Sequence, residues 1–412
     1  MIAVIGHKNV LPSSEEVSIR VSGSKSESNR LLILQALFGT ISLENVSNSN
    51  DTKQIENALS SQGNIIDIHH AGTAMRFLTA YFAASEGVDL VITGSQRMQE
   101  RPIKILVEAL QELGADICYE GEFGYPPIRI QGKKLILNEV YLMANVSSQY
   151  ITALMLIAGY LEKGLTIHLQ GEITSRSYIE MSQSLLERVG ISTRFVGNRI
   201  DIEPIRNLTE KTLIVESDWS SASYYYSLVA LSEKSSIHLS SYSLDSLQGD
   251  SELAEIYKEF GVQTKFHSEK KSMVLSKVSH AELGHIELNL VNTPDIAQTI
   301  AVTCFGLGRT CKLHGLHTLK IKETDRLIAL KTELEKLGAQ VEITKDSLEL
   351  LPSNDIIPNR CIETYQDHRM AMAFAPLALK TTMTINNAEV VEKSYPDFWR
   401  DLQKAGVSVD LQ

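Results

Sequence analysis

Several short polar strings in this 412-residue chain combine cations with a carboxylate or a run of hydroxyls. SGSKSESNR carries Lys25 and Arg30, HAGTAMR carries Arg76, and ERP carries Arg101. NTPD supplies Asp295, KETDR supplies Lys322, Glu323 and Arg326, DHR supplies His368 and Arg369, and EKSYPD supplies Lys393. Most of them open an apolar stretch that reads as a helix. A helix N-terminus exposes unpaired N–H groups and a partial positive charge, so such strings favour phosphate and carboxylate. In NTPD, Thr293 fits the cap, Pro294 the first helical position and Asp295 the first turn, facing the helix entrance. A lone Ser or Thr before a helix is ordinarily a cap, and a lone Arg there an ordinary surface charge. Recurrence at equivalent places of a repeat is what points to a site for two anionic substrates.

The helices that must position these residues come in two kinds. RLLILQALFG, AMRFLTAYFAAS, YITALMLIAGYL, SASYYYSLVALS, IAQTIAVTCFGLG and RMAMAFAPLALK are apolar nearly all round, which means burial. Each precedes a turn and a short strand: TISLEN, VDLVITG, LTIHLQG, SSIHLSS, TCKLHG, TMTINN. The second kind is amphipathic and runs up to Gly63, Gly114, Gly190, Gly261, Gly338 and Gly406, each fitting a left-handed position after a helix. The order is therefore buried helix, strand, amphipathic helix, strand, six times. Helices buried inside, with strands outside, give an α/β fold of two similar domains with three repeated units each, an inside-out α/β barrel. We expect domains at 23–216 and at 1–22 plus 217–412, the chain crossing near Ser22 and Ser217, and the cationic helix starts facing one interdomain cleft.

Bulk properties narrow the partners. The net charge is −11, which argues against nucleic acid or an anionic membrane as partner. Cys118, Cys304, Cys311 and Cys361 form no CxxC pair and have no His cluster beside them, so we read them as reduced, small apolar residues and expect no metal. The N-terminus has no signal-peptide pattern, and no apolar run reaches the ~18–20 residues of a membrane span. We expect a cytoplasmic monomer.

The strings also resemble a known family. GSKSESNR, HAGTAMRF, RMQERPI, YPPIRI, VSSQYITALM, TSRSYIE, SDWSSASY, NTPDIA, IKETDRL, DHRMAMAF and EKSYPDF are similar, in order and over nearly the whole chain, to motifs of the 5-enolpyruvylshikimate-3-phosphate synthases. The resemblance implies transfer of the enolpyruvyl group of phosphoenolpyruvate to the 5-hydroxyl of shikimate 3-phosphate, by addition and elimination, with no cofactor. It implies that Lys25, Ser26 and Arg30 contact shikimate 3-phosphate, with Lys25 touching both ligands. Ser147, Ser148, Gln149, Ser175 and Tyr178 would hold its phosphate and ring, and Lys322 and Thr318 would reach the same substrate. Gly72, Arg101, Arg326, Arg369 and Lys393 would hold phosphoenolpyruvate, with His368 close by. Asp295 is the candidate base, and Glu323 the candidate acid, with Lys393 able to share the proton.

Three positions depart from the family pattern: His70 where Asn is common, Phe77 where Pro is common and Thr318 where Asn is frequent. Gly72 is kept, so inhibition by glyphosate is expected. The sister enzymes that use UDP-N-acetylglucosamine carry a Cys in a mobile Gly-rich loop, whereas Cys118 lies in the strand-like GADICYE. A third class, RNA 3′-phosphate cyclisation, would call for a basic surface.

Overall fold

In the computed structural model, which describes residues 1–7, 17–144, 147–173, 175–278, 284–353 and 355–412, the segments that are apolar all round are helices covered on every side. Every residue of Trp219–Leu231 except Ser220 is buried, and in Ser148–Ala158 burial is continuous from Tyr150 onward. Burying one such Leu, Ile or aromatic side chain contributes roughly 1.5–3 kcal/mol, so these helices are stable only where sheets and other helices surround them. The strands are covered on one face: Ile128–Gln131 and Leu165–Gln170 alternate inward and outward residues. Helices lie inside and sheets outside.

Each complete repeat is strand, buried helix, strand, amphipathic helix and hairpin, folded into one four-stranded sheet. Ile65–Asp67 pairs in parallel with Asp89–Thr93 across the helix Gly72–Ala83, and the hairpin Asp116–Tyr119/Ile128–Gln131 adds antiparallel to Asp89–Thr93. The same strand arrangement recurs in four other sheets, in the last of which Ile2–His7 takes the place of the second hairpin strand. The first repeat has no hairpin of its own and keeps only the parallel pair Ile41–Glu44 and Lys211–Ile214.

The chain divides into two compact units, Gly23–Val215 and Met1–Ser22 with Glu216–Gln412. An exchange of strands accounts for the division. Val17–Ile19 precedes the first buried helix in sequence but pairs with Ser236–Ser240, while Lys211–Ile214 precedes the fourth but pairs with Ile41–Glu44. The N-terminal strand Ile2–His7 lies between Met383–Asn386 and Val407–Leu411 and completes the last sheet.

Some expectations are corrected. Gly63 is not left-handed: its helix ends at Ser60, and Ser61 turns away in extended conformation, whereas the other five glycines have positive φ. The segment ending at Gly261 is no continuous helix but a 3-10 turn, a four-residue α turn and another 3-10 turn over Gly249–Phe260. The last buried helix is α-helical only over His368–Phe374 and continues as 3-10 helix, because Pro376 has no N–H to give. The expected single strand after an amphipathic segment is a hairpin in four repeats, and in the sixth Val407–Leu411 pairs with the N-terminal strand instead. Cys304 and Cys311 are buried, but Cys118 occupies an outward, exposed position of Asp116–Tyr119 rather than an apolar one.

Gly23, at the junction into its unit, lies so close to the Asn45 carbonyl that a Cβ would stand 1.8 Å from that oxygen. The obstacle is backbone and cannot swing aside. Gly23→Ala is therefore expected to destabilise the unit by on the order of 2–3 kcal/mol, read as a lowered urea midpoint; a midpoint equal to wild type would contradict this contact.

Candidate active site

In the unit that holds Glu216–Gln412, four helix starts deliver their polar residues to one charged array. Arg326 opens Arg326–Lys336, whose cap Asp325 accepts from the amides of Leu327 and Ile328. The Arg326 guanidinium is 2% exposed and donates Nε to Asp367 Oδ2 (2.6 Å), Nη1 to Asp295 Oδ1 (2.9 Å) and Nη2 to Glu323 Oε2 (2.8 Å). Asp295 turns its other oxygen to Arg369 Nη2 at 2.9 Å, and Glu323 turns its other oxygen to Lys393 Nζ at 2.9 Å. Asp367 also caps the helix His368–Phe374 by accepting from the Arg369 amide at 2.9 Å. His368 is buried, its Nδ1 3.6 Å from Asp367.

Charge compensation sets the protonation of this array. Burial alone would lower the Arg326 pKa, but Asp367, Glu323 and Asp295 outweigh it and hold the guanidinium above its ordinary value. Burial draws the Lys322 ammonium below its ordinary value, with Asp295 opposing. Arg369 Nη2 also reaches Ser220 Oγ at 3.3 Å, and Ser220 donates a short hydrogen bond to the buried Asp250.

In the unit Gly23–Val215, Lys25 opens Lys25–Phe38 behind its cap Ser24, and its Nζ is 3.2 Å from Asp51 Oδ2 in the first turn of Asn50–Ser60. Arg30 is buried, and its guanidinium ties two helix starts together. It donates to Ser26 O (2.7 Å), Ser182 Oγ (2.8 Å) and Tyr178 O (3.3 Å) and faces the Phe77 ring at 5.6 Å. Burial lowers its pKa to about 10. Gln149, in a helix capped by Ser147, donates to Thr73 Oγ1 at 3.2 Å, joining the start of Ser148–Ala158 to the start of Gly72–Ala83. Gly72 has the Arg101 guanidinium against it; a Cβ there would be 2.4 Å from Nη1. Behind them Arg76 donates to Gly72 O and Pro102 O, and burial, with Arg101 nearby, lowers it to about 10.

The residues singled out in the sequence thus fall into two groups. Asp295, Lys322, Glu323, Arg326, His368, Arg369 and Lys393 gather in one unit. Lys25, Ser26, Gly72, Arg101, Ser147, Ser148, Gln149, Ser175 and Tyr178 belong to the other, with Arg30 linking the Lys25 and Tyr178 helices. Ser175 is nearly buried in left-handed backbone at the start of Arg176–Val189, and Ser148 and Ser26 are half-buried. Thr318 lies in the 3-10 helix His317–Ile321, its hydroxyl without a hydrogen-bond partner among the described residues. Thr293 does not cap: its segment starts as 3-10 helix at Pro294, and no amide there reaches the hydroxyl. His70 bonds Ser95 through Nδ1 at 2.7 Å. Lys322 and Glu323 precede their helix rather than lying in it, and Lys393 ends a 3-10 helix. Sequence reasoning missed Asp51, Asp250, Asp367 and Ser220; only Asp367, standing before His368 and Arg369 as a cap should, carried a usable signal.

Asp250 is the group whose titration should be visible. Burial, and next the Asp295 carboxylate, push it up to about 7, although Arg369 and the Ser220 hydroxyl favour its charged form. Its folded value lies above the unfolded one, so the stability it confers is complete below about pH 4 and is lost as pH rises towards 7. Asp250→Asn, which keeps an acceptor for Ser220, should therefore melt above wild type at pH 8, with the gap closing towards pH 4. A gap that does not change with pH would contradict the assignment.

Known proteins resemble this chain in sequence and fold. A profile of the family described as EPSP synthase (3-phosphoshikimate 1-carboxyvinyltransferase) matches residues 52–402. A 3-phosphoshikimate 1-carboxyvinyltransferase of Bacteroides fragilis is 44% identical over 407 residues, covering 97% of this chain and 98% of the relative. One from Haemophilus influenzae is 34% identical, covering 95% and 97%. Among solved structures, an EPSP synthase from Acinetobacter baumannii superposes over 100% of both chains with a TM-score of 0.78 at 22% identity. The enolpyruvyl transferase NikO from Streptomyces tendae does so over 99% of this chain and 98% of that one, with a TM-score of 0.75 at 13% identity. These structures share the fold, and the sequence matches share more: this chain belongs to the EPSP synthase family.

Proposed function

We propose that the chain transfers the enolpyruvyl group of phosphoenolpyruvate to the 5-hydroxyl of shikimate 3-phosphate and releases phosphate. The observation that carries this reading is the array in which Arg326 joins Asp295 to Glu323, with Arg369 and Lys393 on their outer oxygens. Asp295, our candidate base, and Glu323, our candidate acid, bond different nitrogens of one buried guanidinium, amid cations suited to phosphate and carboxylate.

In the addition, the 5-hydroxyl oxygen bonds to C2 of phosphoenolpyruvate. Its proton passes to Asp295, and C3 receives a proton from the Glu323–Lys393 pair. In the elimination, C3 returns a proton to that pair, the C2–O bond to phosphate breaks, and the phosphate leaves with the proton held by Asp295. Positive charge on the leaving phosphate comes from Arg101, Arg369, Lys393 and Lys25, so the chemistry asks for no metal.

We assign shikimate 3-phosphate to Lys25, Ser26, Ser147, Ser148, Gln149, Ser175, Tyr178, Lys322 and Thr318. We assign phosphoenolpyruvate to Gly72, Arg101, Arg369, Lys393, His368 and Lys25. Arg30 and Arg326 already donate to protein acceptors on every side, so we give them a share that works through the helix starts and carboxylates they orient. No described helix is long and apolar enough to cross a membrane; we read the protein as a cytoplasmic monomer, for which gel filtration should return one 45.7 kDa chain.

Phosphate release with phosphoenolpyruvate and shikimate 3-phosphate tests the reading, and UDP-N-acetylglucosamine as acceptor is the control. Turnover only with the control acceptor would overturn it, and millimolar glyphosate should inhibit the reaction. Asp295→Asn and Glu323→Gln, which avoid stranding buried arginines, should each lower kcat by about 10²–10⁴-fold while substrate binding survives. A near-normal kcat in either would remove that residue's role. Gly72→Ala meets only the movable head of Arg101, so the fold should stand while KM for phosphoenolpyruvate rises by about tenfold, roughly the worth of one charge-assisted hydrogen bond. An unchanged KM would dissociate Arg101 from that substrate.

A further inference from the structure

The backbone just before Asp367 is held in an unfavourable conformation. Tyr365 and Gln366 both have left-handed φ, +52° and +58°, and they are the only adjacent non-glycine pair of this kind among the described residues. Neither is a residue that tolerates this region well, so something outside the turn must hold it. The next residues are Asp367, which grips Arg326 and caps the helix, and Arg369, which grips Asp295.

The restraint comes from Glu333. It lies two turns beyond Arg326 on the same helix, is fully buried, and carries its charge against Lys336 at 2.8 Å. Its Oε1 accepts from the Tyr365 hydroxyl at 2.6 Å and its Oε2 from the Glu363 amide at 3.1 Å. Lys336 also reaches back to the Cys361 carbonyl. One helix therefore holds the segment 361–369 at two points, Arg326 on Asp367 and Glu333 on Tyr365 and Glu363. Residues seven apart share a helix face, so the two grips have a fixed spacing. Glu333 itself bonds Tyr365, Glu363 and Lys336, and none of Asp295, Glu323 or Lys393.

We propose that Glu333 is a positioning residue for the reaction: through the Tyr365 hydroxyl and the Glu363 amide it keeps 365–366 in the left-handed bend and so aims Arg369 at the phosphoenolpyruvate. This rests on the assignment of Arg369 to that substrate. Buried carboxylates with three donors are ordinarily structural; the left-handed pair and its place directly before the cationic helix start set this one apart.

The test is Tyr365→Phe, which removes one hydroxyl and leaves the buried carboxylate paired. KM for phosphoenolpyruvate should rise about tenfold, KM for shikimate 3-phosphate should stay within about twofold, and the melting temperature should barely move. Adding Gln366→Gly, which adopts positive φ without strain, should restore much of the lost affinity. Glu333→Gln, keeping one acceptor oxygen, should fall between wild type and Tyr365→Phe. A lowered melting temperature with unchanged KM, or equal rises in both KM values, would make Glu333 merely structural and overturn the proposal. Amide hydrogen exchange on the unliganded protein separates this from the functional reading. Exchange at Arg369 should quicken about tenfold in Tyr365→Phe while the helix Arg326–Lys336 is unaffected. If wild type releases no phosphate, the functional reading fails, and the exchange result alone decides whether the tether positions Arg369; unchanged exchange refutes it.

Discussion

Arg326 carries a full charge at 2% exposure, and its unit is organised around making that tolerable. An unpaired buried guanidinium is prohibitively costly, and a paired one is tolerable only with good geometry and every donor satisfied. Three carboxylates answer it, and two of them are answered in turn by Arg369 and Lys393. The result is an alternating row, Lys393–Glu323–Arg326–Asp295–Arg369, in which no member can shift without uncovering its neighbour. A rigid row of this kind presents its terminal cations and both carboxylates without reorganisation, which is what electrostatic catalysis requires.

Within its unit, the fold brings helix beginnings to that row. A parallel strand–helix–strand crossover returns the chain to one end of each sheet, so each buried helix starts at an equivalent place in its repeat. Within one unit, the starts at Pro294 and Asp367 and the start of the amphipathic helix at Asp325 supply members of the row or their caps, and the start at Asp218 supplies Ser220 to Arg369. In the other, Arg30, Gln149 and Arg101 tie together the starts at Lys25, Ser148, Gly72 and Arg176. The strands exchanged between the first and fourth repeats explain why one unit is a single stretch, Gly23–Val215, while the other draws on both Met1–Ser22 and Glu216–Gln412.

Much of this was legible in the residues. All-round apolarity marked the buried helices because only an interior helix needs no polar face, and the helices ending at Gly114, Gly190, Gly338 and Gly406 were cued by a residue able to take positive φ. The hairpins were not legible, since their second strands are four or six residues that look like any polar turn flanked by a few apolar ones. Pro376 ended the sixth α-helix early, and the segment before Gly261 broke into turns although its apolar spacing fits a helix. In the site, the cations were readable because anion binding demands them. Their partners Asp51 and Asp250 were not, and Asp367 was readable only as a cap, because a carboxylate is recognised as a counter-ion only once tertiary contact sets it beside its arginine or lysine.

The account makes Asp295 and Glu323 parts of one unit coupled through Arg326, and a double-mutant cycle on kcat measures that coupling most directly. If the row works as one, Asp295→Asn combined with Glu323→Gln should fall no more than about tenfold below the worse single variant, because residues acting as a unit are strongly non-additive. If the two losses multiply, the residues act independently, Arg326 is only a shared neighbour, and the central claim is contradicted.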